Sequence, residues 1–436
     1  MISVLVFWTA YAALLVAALT GFPIAGIFAY LFALYVDPTE KWWGTYIPEE
    51  AQLSLVASII TLFSAFFYKK RSNKFSIWNN KIFLCLFVFV LWMFLQQLWV
   101  INLDLHKEGI QLFAKYLLLF FIFYRIAFSA KSTQAIMLAC IAGTFYVCYQ
   151  AWAAKTHGRV EGFGGAGFRD SNTLAMYAAS VLTFLAFIIT TASNYSRLLL
   201  AAAALFILNG IILTGSRGAI LALVFTLPVA WFFKPQAIKK WFYIGVIIGF
   251  MGFLYLANDI ILDRFKSLTI DSSQESSAVA NRDMQKASSS AEKRLEIVIH
   301  QWRMATDFPW GAGYRATAVL SSTYLPSYLL TGDVGVRSSH NTLMEVLVSF
   351  GFIGLFLYLL ILVFTTAALL ELRRCAIRDE ESSLAIVTSA LACGLAVWFF
   401  AGLFSNFFKA EIMIWLTAAT AGLYDNRLRE GNLPEN

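Results

Sequence analysis

Residues 335–341 read Gly335-Val336-Arg337-Ser338-Ser339-His340-Asn341, and residues 342–370 continue as TLMEVLVSFGFIGLFLYLLILVFTTAALL. The second stretch decides the fold. Its only charged residue is Glu345, and it exceeds the ~20 apolar residues that a helix needs to cross the hydrocarbon core. The first stretch closes a polar loop, 258–341, so a histidine and an arginine stand where that loop re-enters a lipid bilayer.

Composition agrees with that reading. The chain has 436 residues, 59% hydrophobic and 14% charged, against about 25% charged in ordinary globular domains. A soluble multidomain protein is excluded. The N-terminal run has no basic region before it and is too long for a cleavable signal peptide. A net charge of +7 raises nucleic acid as a partner, but the cations cluster in short loops as membrane orientation signals do. No nucleic acid is expected; the partner is the lipid bilayer. The cysteines Cys85, Cys140, Cys148, Cys375 and Cys393 lack metal-ligand spacing and read as small, mostly buried side chains.

The apolar runs place spans near 51–68, 81–99, 110–128, 134–153, 172–192, 197–213, 218–233, 241–257, 342–370, 383–403 and 412–425. Lys69, Lys70, Arg71, Lys74 and Lys81 crowd one loop, Lys234, Lys239 and Lys240 another, Arg373, Arg374 and Arg378 a third, and Arg427 and Arg429 the tail. These spans put all of them on one side, the cytoplasm by the positive-inside rule. The N-terminal run 3–36 is broken by Gly21-Phe22-Pro23, since proline removes an amide donor and clashes with the preceding turn. One crossing with a broken or re-entrant half is expected there. The fold class is all-α, a polytopic membrane protein of about twelve spans. It divides into an N-terminal bundle (1–257), a large outer loop containing helices (258–341) and C-terminal spans with a short tail (342–436).

All four histidines, His106, His157, His300 and His340, fall on the outer side. Chemistry performed there has no access to ATP. The Ser-rich part of the loop, Asp271 to Ser290, reads as mobile. Glu292 to Thr306 reads as an amphipathic helix with Leu295, Val298, Ile299 and Trp302 on one face.

Four constellations have the makings of a site. His340, with Arg337 beside it and Asn341 as helix cap, sits at a water–lipid boundary where an imidazole titrates near neutral pH and takes a proton from a hydroxyl. Its structural reading is an interfacial anchor. Thr214-Gly215-Ser216-Arg217-Gly218 sets an arginine fork between glycines that let amides approach an anion; it also reads as a tight turn with a snorkelling arginine. Arg294 opens the loop helix, which runs on to Arg303 and to Pro309-Trp310-Gly311-Ala312-Gly313-Tyr314-Arg315. Its charges also suit a solvated face, and Trp302, Trp310 and Tyr314 suit either an interface or sugar stacking. Gly162 to Thr173 is a glycine-rich outer loop in which Arg169 pairs with Asp170 or reaches an anion. No paired carboxylates suggest a metal site, and no P-loop or dinucleotide motif is present.

In order along the chain, Gly167-Phe168-Arg169-Asp170-Ser171-Asn172, Thr214-Gly215-Ser216-Arg217-Gly218, Arg294 with Trp302 and Pro309-Trp310-Gly311-Ala312-Gly313, and His340-Asn341-Thr342 resemble the O-antigen ligase and polymerase superfamily, and most of all its ligases. The motifs cover about residues 155–360. The resemblance implies a metal-independent, inverting glycosyl transfer with no cofactor. O-polysaccharide would pass from undecaprenyl pyrophosphate to the lipid A-core at the periplasmic face of a bacterial inner membrane. It implies His340 as the base, with Arg217 and Arg294 on the pyrophosphate. Arg337, Arg169, Arg315, Glu345 and Asn341 are supporting candidates. An O-antigen polymerase would show two sizeable outer loops and a protein O-oligosaccharyltransferase an added C-terminal segment; this chain has one long outer loop and ends soon after Tyr424. A transporter would show inverted repeats and midplane charges, and neither is evident in the sequence.

Overall fold

The computed structural model describes residues 2–41, 43–44, 47, 52–67, 77–154, 160–165, 167–235, 238–256, 278–330 and 335–431, with the backbone alone for 241–242, 253–256, 278–292 and 429–431. His157 lies outside them. The helices are α1 (Ile2–Leu19), α2 (Pro23–Val36), α3 (Leu53–Phe67), α4 (Lys81–Gln96), α5 (Leu103–Ile126), α6 (Ala130–Ala153) and α7 (Ser171–Ile188). They continue with α8 (Asn194–Leu213), α9 (Arg217–Phe233), α10 (Lys239–Leu256), α11 (Ala278–Asp307), α12 (Thr342–Arg378), α13 (Ser382–Gly402) and α14 (Ile412–Gly431). No strand forms among the described residues. Six of the helices are long and apolar enough to cross a membrane, with shorter apolar helices beside them. The protein is an all-α polytopic membrane protein.

Two helices make the centre. The most apolar windows of α7 and α13 are each 78% buried, against 22% for α8. Small residues explain their proximity: a Cβ on Gly394 of α13 would stand 2.7 Å from the ring of Phe184 on α7, and the Ser180 hydroxyl donates to the Gly394 carbonyl at 3.5 Å. In lipid, where apolar surface gives no drive between helices, this close packing supplies the attraction. Helix α13 also packs on α9, α12 lies against α4 and α13, and α14 against α5.

The break at Gly21-Phe22-Pro23 falls where proline places it, and the chain turns back there. Gly21 takes a φ of 109°, and Phe7 early in α1 stacks on Phe32 late in α2 at 5.1 Å. The run forms an antiparallel hairpin, as a re-entrant half would. Its second arm has 14 residues, about 21 Å at 1.5 Å per residue.

A second break shapes the end of the bundle that carries His340. Helix α12 is interrupted at Gly351, with φ 71° and ψ −173°, and the Pro309–Tyr314 segment lies in the gap. Ala312 N–H donates to Val348 O at 3.0 Å, Gly313 N–H to Ser349 O at 2.9 Å and Phe352 N–H to Pro309 O at 3.0 Å. The side chains of Trp92 and Gln96 cap the same break, donating to Phe350 O at 2.8 Å and Trp310 O at 2.7 Å. Glycines are required because two backbones touch: a Cβ on Gly351 would lie 2.4 Å from Pro309 O, and one on Gly311 would lie 2.5 Å from the Phe350 carbonyl carbon. His106 completes the fastening. Its Nδ1 accepts from the Tyr314 amide at 3.1 Å, so Nε2 carries the proton and donates to Met93 O at 2.8 Å.

The loop helix departs from expectation in its Ser-rich part and settles which way its apolar stripe points. The Ser-rich stretch read as mobile is helical from Ala278 onward. On α11 the side chains turned into the protein are Ile297, Gln301, Met304 and Ala305, while Leu295, Ile299 and Trp302 are more than half exposed. The apolar stripe seen in the sequence therefore faces outward. Trp302 meets Phe352, an exposed residue at the start of the long half of α12, at 6.3 Å. A helix at a membrane surface has two apolar environments, and periodicity alone does not say which one a stripe faces.

Among the described residues, the basic segments around Lys234, Arg373 and Arg427 gather at one end, while Lys69, Lys70, Arg71 and Lys74 lie outside the described residues. Arg373 donates to Phe232 O at 3.1 Å, and Arg427 bridges Asp379 and Glu381. The segments of Asn172, Ser216, Arg294 and Asn341 meet around Leu403–Phe404. Replacing Gly351 or Gly311 with alanine is expected to cost at least the ~1–3 kcal/mol of a strained φ, lowering the midpoint of thermal unfolding in detergent. Gly245→Ala, with open space around the new methyl, should hold or raise that midpoint by helix propensity of up to ~1 kcal/mol.

Candidate functional site

The turn Leu403–Phe407, between α13 and α14, is where separated motifs meet. Asn341 caps α12, its Oδ1 accepting from Leu343 and Met344 amides at 2.9 and 3.1 Å. Its Nδ2 donates to Leu403 O at 3.2 Å. Thr342 donates to Ser405 O at 2.9 Å and accepts from the Phe407 amide at 2.9 Å. Arg294 reaches Phe404 O at 3.4 Å. On the other side of the turn, a Cβ on Gly218 would lie 3.1 Å from Phe404 Cβ. Ser216 next to Arg217 donates to Asn172 Oδ1 at 3.0 Å, joining α9 to α7.

His340 is held by both neighbours. Ser339 is buried, donates to Asn341 O at 2.8 Å and accepts the Asn341 amide at 3.1 Å. The same hydroxyl proton is shared with Oε1 of buried Gln301 on α11, 3.3 Å away. Burial, then the charges of Arg294 and Arg337, push the imidazole down to about 4, with Asp170 opposing them. This differs from titration near neutrality. A cationic imidazole beside two guanidiniums in a partly dry site is penalised three ways, so His340 is neutral with a lone pair available.

Arg337 rises in standing. Its amide donates to the Ser321 hydroxyl at 2.9 Å. Its Nε is buried and has no hydrogen-bond partner among the described residues, and burial lowers its pKa. A buried unsatisfied donor in a native fold calls for an acceptor, and an anion beside Arg294 would supply one. Arg217 begins α9 and is half-buried. Its neighbours Ser216 and Gly218 join it to α7 and to the turn that Arg294 and Asn341 also touch.

Other candidates are placed elsewhere. Arg169 pairs with Glu40, and with Asp37 at 3.6 Å, at the end of α2 rather than with Asp170. Its loop is fastened: Gly165 N–H donates to Leu34 O at 3.1 Å, and buried Phe168 stacks on Tyr35 at 5.0 Å. Asp170 caps α7 by accepting the Thr173 amide at 2.9 Å. Glu345 is buried, accepting the Thr317 hydroxyl on one oxygen and that of Ser349 on the other at 3.0 Å. The charge acting on Lys409 includes Arg315 and Glu345, so those three form a second group. Tyr314 is buried, whereas Trp302 and Trp310 are exposed.

The sequence reading missed the Leu403–Phe407 turn, Ser339, Gln301 and the pull of Asp170 on His340. The turn works through backbone carbonyls, which no side-chain motif announces. Ser339 lies beside His340, where a serine flanking a capped helix start was a readable signal.

Unfolded histidine binds protons near 6.5 and the folded His340 near 4. Between those values the unfolded chain holds more protons, so stability falls as pH is lowered through that window. His340→Gln should flatten this part of a stability-versus-pH curve in detergent. Asn341→Ala removes a cap worth ~1 kcal/mol and should lower the unfolding midpoint.

No curated protein sequence matches the chain. Residues 201–359 match the family described as O-antigen ligase. That stretch holds Arg217, Arg294, Arg337 and His340, and leaves the Gly167–Asn172 motif outside it. Over that stretch the chain is similar to this family, and the resemblance to the O-antigen ligase and polymerase superfamily is borne out there.

Proposed function

We propose that the protein is an O-antigen ligase. It would transfer O-polysaccharide from undecaprenyl pyrophosphate to the lipid A-core, at the periplasmic face of the bacterial inner membrane. The observation that carries this reading is the convergence of Arg294, Asn341-Thr342 and the Thr214–Gly218 turn on Leu403–Phe407, with a neutral His340 between Arg294 and Arg337.

The donor's pyrophosphate is an anion, and Arg294, Arg337 and Arg217 supply planar donors suited to its oxygens. Once it binds, the charges that hold His340 neutral are compensated and the imidazole becomes a better proton acceptor. The acceptor hydroxyl oxygen attacks the anomeric carbon of the donor glycan. The bond from that carbon to phosphate oxygen breaks, undecaprenyl pyrophosphate leaves, and the hydroxyl proton passes to His340. The carbon inverts. The activated bond comes with the donor, so orientation, proton acceptance and charge stabilisation are what the chain must provide. No metal or cofactor enters the step.

Purified protein with donor and lipid A-core should form ligated product without ATP and in the presence of a chelator. His340→Ala should abolish transfer with the fold intact, and full activity in that variant would sink the base assignment. Arg217→Lys keeps the charge but loses the fork, and a large loss of rate is expected. The acid limb of kcat/KM should lie near the free-enzyme value of about 4, and that of kcat should lie higher, toward the ordinary 6.5, because bound pyrophosphate offsets the arginines. Product made only from a second lipid-linked glycan would instead identify a polymerase.

A further inference from the structure

We propose that Arg315 and Lys409, seated on Tyr314, form a second anion site that takes a phosphate group carried by the acceptor glycolipid. This rests on the transferase reading and adds to it a recognition element apart from His340.

The site is built from three fixed pieces. Arg315 adopts φ 60°, a left-handed conformation that a residue with a side chain takes only at a cost. The surrounding hydrogen bonds hold it there: Ala318 N–H donates to Arg315 O at 3.0 Å, and the Tyr314 amide is bound by His106. Strained backbone beneath an exposed cation is a feature of ligand-binding positions. Tyr314 is packed so tightly on α5 that a Cβ on Gly109 would lie 2.5 Å from its ring. Lys409 Nζ lies 5.2 Å from the centroid of that ring, and its carbonyl accepts the Tyr116 hydroxyl.

The charge balance there is left open. Among the described residues neither Arg315 nor Lys409 forms an ion pair with a carboxylate. Glu345 lies behind them, but each of its oxygens is engaged by a hydroxyl. Burial and the neighbouring Arg315 act against the charge of Lys409, and Glu345 and Glu108 only partly offset them. Two cations held together at a protein surface, with the nearest acid already engaged, suit a phosphate oxyanion.

The position suits the acceptor. Lys409 ends the loop whose first residues, Leu403–Phe407, organise the His340 site. Glu345 follows the Asn341 cap by one helical turn. One short loop and one half-helix therefore carry both groups of cations. A phosphate bound at Arg315 and Lys409 would orient the acceptor while its hydroxyl faces His340.

The test uses the full chain in nanodiscs, with the Arg315→Gln/Lys409→Gln pair and two acceptors, phosphorylated lipid A-core and the same lipid stripped of phosphate. With the phosphorylated acceptor, KM should rise about tenfold or more in the double variant, the scale of lost charge-assisted hydrogen bonds, while kcat holds. With the stripped acceptor, wild type and variant should have the same KM. Equal KM changes for both acceptors, or no change for either, would overturn the proposal. Native mass spectrometry of acceptor binding without donor gives an arm independent of transfer. Loss of phosphate-dependent acceptor binding in the variant supports the site even if no transfer is detected. Displacement of the acceptor by phosphatidylglycerol at equal concentration would mark a general lipid-headgroup site and overturn the acceptor assignment.

Discussion

The close approach of two backbones at Gly311 and Gly351 is the constraint on which the His340 end of the bundle depends. A spanning helix broken at its outer end exposes amides and carbonyls that lipid cannot satisfy. Here the Pro309–Gly313 strand of chain, Trp92 and Gln96 satisfy them. The break frees Thr342–Phe350 to act as an outer half-helix whose capped start carries His340 to the turn after α13. A continuous, unbroken helix would fix the histidine to the axis of the span instead.

Once that half-helix is set, electrostatics follow from packing. Arg294 comes from the loop helix, Arg337 from the end of the same loop, and both face a histidine partly removed from water. Their mutual repulsion is tolerated because the site is held from several sides, by Ser339 on Gln301, Asn341 on Leu403 and Thr342 on Ser405. Stability invested in holding like charges together is recovered when an anion binds. The same logic, in smaller form, applies to Arg315 and Lys409.

Much of this was legible in the residues. Hydropathy gave the spans, and Pro23 marked the break in the first run because a missing amide and a ring clash are local effects. Its consequence, a hairpin, depended on the contact of Phe7 with Phe32, which no local rule supplies. Asn341 and Asp170 were readable as caps for the same local reason. The stripe Leu295, Ile299 and Trp302 was seen, but the side it faces was not legible, since lipid and protein reward an apolar face alike. His340 stood out as one of four histidines, and Arg294 through its place in the order of motifs. Arg337 was undervalued because its weight comes from burial and an unsatisfied Nε, and the Leu403–Phe407 turn was invisible because it offers only carbonyls.

The most direct test of the account is a structure of the protein with undecaprenyl pyrophosphate bound in a nanodisc. The pyrophosphate should lie within hydrogen-bond distance of Arg294 and Arg337, with Arg217 completing its shell and His340 open to an incoming hydroxyl. A pyrophosphate seated at Arg169, or at Arg315 and Lys409, with Arg294 and Arg337 unengaged, would contradict it.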